Sequence, residues 1–135
     1  MPAPLLRRLV AAARSARARA YAPYSGYRVG AAIAGREGGI FLGCNVENAS
    51  YGACMCAERS AIAQMVAAGE TSPIACAIAT EGIQPATPCG ICRQVLAEFV
   101  QDMPIILVGA GRPIAERRTT LAALLPDAFR LRSRR

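Results

Sequence analysis

The sequence predicts an α/β fold, a three-layer α/β/α sandwich around a mixed five-stranded sheet, and three observations carry that reading. Helix-patterned and strand-patterned segments alternate in the order α-β-β-α-β-α-β-β-α, which calls for a sheet covered by helices on both faces. At 135 residues the chain is long enough for one core and too short for two independent ones. No internal repeat, low-complexity linker or shift of composition marks a boundary, so one domain over 1–135 is expected, with 130–135 as a basic, frayed C-terminal tail.

The elements follow in order. Leu5, Leu9, Ala13, Ala16 and Ala20 recur at helical spacing while Arg7, Arg8, Arg14 and Arg17 fall mainly off that stripe, which predicts an amphipathic first helix. Tyr21-Ala-Pro-Tyr-Ser-Gly is turn-like. Two β-type runs, 27–34 and 40–46, flank a turn at 35–39 and predict a hairpin. The alanine-rich stretch 56–68 reads as a helix stopped by Gly69, and 74–80 has the pattern of a buried strand. Pro88 opens another helix over 89–100, 104–109 is the next strand, and Pro113-Ile114 is a weak fifth. Residues 119–125 form a short closing helix capped by Thr119 or Thr120.

Composition narrows the class of function. No apolar run approaches the ~20 residues of a membrane span, so a soluble protein without membrane partners is expected. Six cysteines without a secretory leader point to a reducing compartment, the cytoplasm, and to metal or catalytic roles for thiols rather than disulfides. All 16 basic residues are arginine and the first acidic residue is Glu37, a pattern shared with organellar transit peptides; the helical stripe accounts for it better. The net charge of +7 raises nucleic acid as a partner, but much of it lies on the first helix and in the tail, where a solvated face is the default.

The chemistry concentrates at two predicted helix starts, Cys56-Ala57-Glu58 and Pro88-Cys89-Gly90-Ile91-Cys92. Cys89 and Cys92, one turn apart, can face one ion, and Cys56 can add a third thiolate from the neighbouring helix. Three protein ligands with a fourth position left for water is the arrangement of a catalytic zinc. Glu58, two residues beyond a ligand, then stands beside the water as a proton carrier. Three thiolates and Zn²⁺ sum to a net negative charge, which weakens the metal as an acid. Arg59, at i+3 from Cys56, lies on the same helix face and is expected to compensate the thiolates.

The pattern of Cys-Ala-Glu followed by Pro-Cys-x-x-Cys resembles that of the zinc nucleobase deaminases, with Cys56 where a histidine stands in other members. Gly43-Cys-Asn-Val-Glu-Asn-Ala-Ser-Tyr-Gly, Cys-Ala-Glu-Arg at 56–59, Pro-Cys-Gly-Ile-Cys-Arg-Gln at 88–94 and Leu-Leu-Pro-Asp-Ala-Phe at 124–129 resemble the small homotetrameric cytidine deaminases, in order from about Tyr21 to Phe129. The resemblance implies one zinc per subunit and hydrolysis of free cytidine and 2′-deoxycytidine to uridine and 2′-deoxyuridine with release of ammonia, in pyrimidine salvage. It implies attack of zinc-activated water on C4, with Glu58 as proton shuttle. It implies further that Asn45 and Glu47 hold the ribose hydroxyls, that Tyr27 lies near the nucleoside, and that backbone groups of Ala57 and Cys89 read the pyrimidine edge. The resemblance also implies that Tyr51 sits at a subunit contact near the site and that Phe129 reaches the base in an adjacent subunit's site.

Other readings of the same residues stand beside this one. Cys89-Gly-Ile-Cys92 at a helix start also fits a redox dithiol. Cys54 offers a fourth ligand that closes a structural zinc site, and competes with Cys56, which alone carries the Ala-Glu continuation. Cys44 and Cys76 lie in predicted strands as small buried hydrophobes. Asn45 and Glu47 fit turn residues, and Arg93 and Gln94 an exposed helix face. A polynucleotide deaminase shares the zinc motif and normally adds stacking aromatics along a basic channel, but aromatics are sparse here and a three-cysteine site with Asn45 and Glu47 suits a free nucleoside, which argues against nucleic acid. Deaminases of nucleoside antibiotics also use three cysteines; Asn45-Val-Glu-Asn48 favours cytidine over them.

Overall fold

The computed structural model describes residues 1–131. Helix α1 spans Ala3–Arg17, strands β1 and β2 span Gly30–Gly35 and Ile40–Cys44, helix α2 Ala57–Ala67 and strand β3 Pro73–Ala79. Helix α3 covers Gly90–Phe99, strands β4 and β5 cover Pro104–Val108 and Glu116–Thr120, and helix α4 covers Leu121–Leu124. Among the described residues, the five strands form one sheet in the order β2-β1-β3-β4-β5. β3 and β4 are parallel, joined by a crossover through α3, and the other pairings are antiparallel. This is the mixed, helix-covered sheet the element order predicts.

Alternation along the strands divides the core between the two faces. Ala32, Ala34, Ala75, Ala77, Ala79, Ile106 and Val108 pack with Leu9 and Ala13 of α1. Their neighbours Ala31, Ile33, Cys76, Ile78, Ile105 and Leu107 pack with Ala61, Ile62 and Met65 of α2 and Leu96 of α3. Because both faces are covered, β1 is buried along its whole length and shows no polar alternation. Two glycines set the helix-to-sheet spacing. A Cβ on Gly30 would stand 2.0 Å from the Ala13 carbonyl oxygen, and one on Gly43 would stand 2.3 Å from the Ala57 carbonyl oxygen. Alanine-rich strands and bare glycines let α1 and α2 lie close on the sheet, and α2 carries the candidate site.

The hairpin is shorter than the sequence pattern predicts. Strand β1 begins at Gly30 rather than Tyr27, because the Tyr27 N–H donates to Ser25 Oγ (2.9 Å) and the Val29 N–H to Asn45 Oδ1 (2.8 Å), so side chains take the place of a strand partner. β2 ends at Cys44, and Val46 makes isolated bridges to Tyr21 and Met55. The last strand corrects the expectation at Pro113-Ile114: those residues lie in the turn after β4, and the strand is Glu116–Thr120. It pairs antiparallel with β4 at the sheet edge, exposed over Glu116–Arg118, so its charged residues hide the strand from an apolar pattern. α4 is shorter than expected, and its cap is Thr120, whose Oγ1 accepts from the Ala123 N–H (3.2 Å). Among the described residues no helix is long and apolar enough to cross a membrane. Of the basic tail expected at 130–135, residues 132–135 lie outside the described residues.

Candidate metal centre and active site

Two helix N-termini meet here. Cys56 is the N-cap of α2 and Cys89 the N-cap of α3, both with extended backbone, and Cys92 lies buried in the first turn of α3. The sulfur atoms of Cys56, Cys89 and Cys92 all lie within 4.8 Å of one another, with Cys56 and Cys89 at 3.7 Å. A tetrahedral zinc with Zn–S bonds of ~2.3 Å needs sulfurs about 3.8 Å apart. The donor set therefore fits zinc in number, spacing and softness. All six cysteines are free thiols, and Cys54 is turned away from the cluster: its sulfur accepts from the Asn48 N–H (3.3 Å) and lies 3.5 Å from the Asn48 carbonyl.

Charge around the thiols is graded. The Cys56 thiol is pulled down to about 5, chiefly by the hydrogen bond from Cys92 and then by Arg59. Cys92 is pushed up in turn, since it donates that hydrogen bond from a buried position. Arg59 Nη2 donates to Cys56 Sγ (3.4 Å) and to the Cys54 carbonyl (3.3 Å), the contact the i+3 spacing predicts, and the thiolates raise its own pKa. Glu58, only 4% exposed, is pushed up to about 7, first by burial and then by the negative charge of Cys56. A buried carboxyl with that proton affinity can both take and return a proton near neutral pH.

A cavity of about 480 Å³ opens over these groups, within the range of small-molecule sites. Cys56, Ala57, Glu58 and Cys89 line its floor, and Tyr27, Asn45, Glu47 and Tyr51 line its sides. Asn45 is fixed by backbone contacts, accepting from the Val29 N–H and donating from Nδ2 to the Tyr27 carbonyl (2.8 Å). The Glu47 carboxylate accepts from the N–H groups of Tyr24 (2.9 Å) and Ser25 (3.1 Å) and from the Ser25 hydroxyl, and that hydroxyl holds its pKa below the usual carboxylate range. Tyr51 is 85% exposed on a short turn at 51–53. Phe129, 67% exposed, does not line this chain's own cavity; its carbonyl accepts from Gln94 Nε2 (2.8 Å).

Arg93 and Gln94 are not a merely solvated helix face. Arg93 donates to the Pro88 carbonyl (2.8 Å), the Leu124 carbonyl (2.7 Å) and Thr87 Oγ1 (3.0 Å), tying the loop before Cys89 to the end of α4. The partners lie up to 31 positions away, so no local pattern announces the clamp. Ser25 escaped the sequence reading for the same reason, lying 22 positions from Glu47. Cys76 is buried, as expected of a strand cysteine, and burial pushes its thiol up; Cys44 is half-buried against the Arg19 carbonyl.

The sequence pattern of the family described as "Cytidine and deoxycytidylate deaminase zinc-binding region" matches residues 5–108. A cytidine deaminase of Sporosarcina psychrophila is 45% identical over 123 residues, covering 90% of this chain and 89% of that protein. One from Halalkalibacterium halodurans is 41% identical over 122 residues, covering 90% and 91%. The crystal structure of cytidine deaminase from Burkholderia pseudomallei superposes with a TM-score of 0.86 at 44% identity, covering 96% of this chain and 100% of that one.

Proposed function

The chain belongs to the cytidine and deoxycytidylate deaminase family, and on that premise we propose that it hydrolyses free cytidine and 2′-deoxycytidine to uridine and 2′-deoxyuridine with release of ammonia. The observation that carries the reading is the cluster of Cys56, Cys89 and buried Cys92 beside buried Glu58, with Cys56, Glu58 and Cys89 lining a cavity of nucleoside size. The working form is a cytoplasmic homotetramer in pyrimidine salvage, with one zinc ion per subunit and sites shared between subunits.

Zinc held by the three thiolates supplies a Lewis acid that makes water nucleophilic near neutral pH. Glu58 takes a proton from the attacking water as its oxygen bonds to C4 of the cytosine ring. It delivers that proton to N3, then takes the remaining proton from the new C4 hydroxyl and passes it to the 4-amino group, and the C4–N bond breaks as the C4=O bond forms and ammonia leaves. The chain contains no histidine, so this proton traffic falls to the carboxylate. Arg59 offsets the charge of three thiolates, and the N-termini of α2 and α3 add roughly half a positive charge each at close range.

Binding is divided between side chains and backbone. Glu47 accepts from the ribose hydroxyls and Asn45 hydrogen-bonds them through its side-chain amide; their own backbone and Ser25 contacts fix their orientation before substrate arrives, which lowers the entropic cost of binding. Backbone groups of Ala57 and Cys89 meet the pyrimidine edge, Tyr27 flanks the nucleoside, Tyr51 lies at a subunit contact, and Phe129 closes over the base in a neighbouring subunit. The test is a substrate panel with zinc-loaded protein: cytidine, 2′-deoxycytidine, an aminopyrimidine nucleoside antibiotic and a cytosine-containing oligonucleotide. Turnover of the first two alone is expected. Turnover of the antibiotic or the oligonucleotide, with cytidine left intact, would overturn the assignment.

A further inference from the structure

A second cavity, of about 220 Å³, lies on the α1 side of the sheet at the carboxyl ends of the parallel strands β3 and β4. Arg14 and Arg17 enter it from the last turn of α1, Thr80 from the end of β3, and Gly109, Gly111 and Arg112 from the turn after β4. Thr80 is shared, lining both this cavity and the one over the thiols. The turn is held firmly, since the Ala110 N–H donates to the Gly82 carbonyl (2.7 Å) and a Cβ on Gly109 would stand 2.5 Å from the Ile83 carbonyl oxygen.

Three arginines line this space. Among the described residues Arg17 is the one of the three in an ion pair, with Glu81 at 3.1 Å, and it also donates to the Arg28 carbonyl (3.3 Å). Three positive charges against one carboxylate leave two in excess. Basic residues in a last helical turn complement the helix dipole, and that alone accounts for Arg14 and Arg17. It does not account for Arg112, which comes from a different element and lines the same cavity. Arginine forks match phosphate oxygens in geometry as well as charge, and carboxyl ends of parallel strands are where α/β sheets bind ligands.

We propose that this cavity binds the phosphate group of an anionic ligand, with Arg14 and Arg112 as its principal contacts and Arg17 held in place by Glu81. At about 220 Å³ the space falls below the ~300–1,000 Å³ of whole small-molecule sites, so it takes a phosphate group and leaves any attached organic part outside. The assignment is independent of the deaminase reaction, and its test uses no activity readout.

The experiment is a phosphorus NMR titration of zinc-loaded protein with inorganic phosphate and, separately, with adenosine 5′-diphosphate. Saturable binding of one equivalent is expected. The double variant Arg14→Gln/Arg112→Gln should weaken it roughly tenfold or more, as loss of charged hydrogen bonds does. Arg112→Gln alone, which leaves α1 untouched, should weaken it in the same direction. Arg7→Gln/Arg8→Gln, the same change of net charge on the exposed part of α1, should leave it unaltered. Equal affinity for the two probes identifies a free phosphate anion as the ligand, and tighter binding of the diphosphate identifies a nucleotide. Absence of saturable binding, or equal weakening by the Arg7/Arg8 and Arg14/Arg112 variants, would overturn the proposal.

Discussion

Glu58 joins burial to a proton affinity near neutrality, and its removal separates chemistry from metal binding. Glu58→Ala is expected to lose roughly 10²–10⁴-fold in kcat, the usual contribution of a general acid-base group, while elemental analysis still finds zinc bound by the unaltered thiols. Arg59 acts through charge. Arg59→Gln removes a cation 3.4 Å from a thiolate, which raises the pKa of any acid at the metal, so the acidic limb of the kcat/KM profile should move to higher pH. An unmoved limb would show that the helix N-termini alone offset the thiolates. Cys56, Glu58, Arg59, Cys89 and Cys92 were legible because local spacing fixes them at two helix starts. Ser25 and Arg93 were not, because their meaning lies in partners 22 and 31 positions away, which only the folded backbone brings near.

Helix α2 presents Cys56 at its N-cap and Ala57, Glu58 and Arg59 in its first turn, and its seat depends on Gly43 of β2. Gly43→Ala would place a methyl 2.3 Å from the Ala57 carbonyl oxygen and 2.4 Å from the Ala61 nitrogen, both backbone atoms that cannot rotate aside. The helix must lift, and Cys56 at its N-cap moves with it. Overpacking of this kind costs about 1–3 kcal/mol, so a lower Tm together with zinc lost more readily to a chelator is expected. An unchanged Tm and unchanged metal retention would show that the sheet gives way instead. Among the elements, amphipathic α1 was readable from its stripe, and the buried strands from their apolar runs. β5 was not: at the sheet edge, Glu116-Arg-Arg118 is exposed and alternation has no core face to report. The start of β1 was displaced by side-chain acceptors, Ser25 Oγ and Asn45 Oδ1, that a strand pattern does not register.

The layered sheet explains how one short chain supports a site at helix ends, since α1 seals one face while α2 and α3 meet over the other. The proposed tetramer gives Phe129 its purpose: two-thirds exposed on its own chain and tethered by Gln94, it is presented outward. Phe129→Ala should raise KM for cytidine with a smaller change in kcat, the signature of a lost binding contact, while sedimentation equilibrium still reports four chains. A monomer with full activity would remove that role. The order of elements revealed the architecture, whereas the tetramer is proposed only through resemblance, because exposed aromatics such as Tyr51 and Phe129 carry no periodic signal. The claim on which the rest depends is hydrolytic deamination at the three-cysteine centre. It is tested most directly by ammonia release from cytidine, comparing zinc-loaded wild-type protein with folded, zinc-loaded Glu58→Ala. Stoichiometric ammonia and uridine from the wild type, with release all but abolished in the variant, is the expected result. No ammonia from the folded, metal-replete wild type, or undiminished release from the variant, would contradict it.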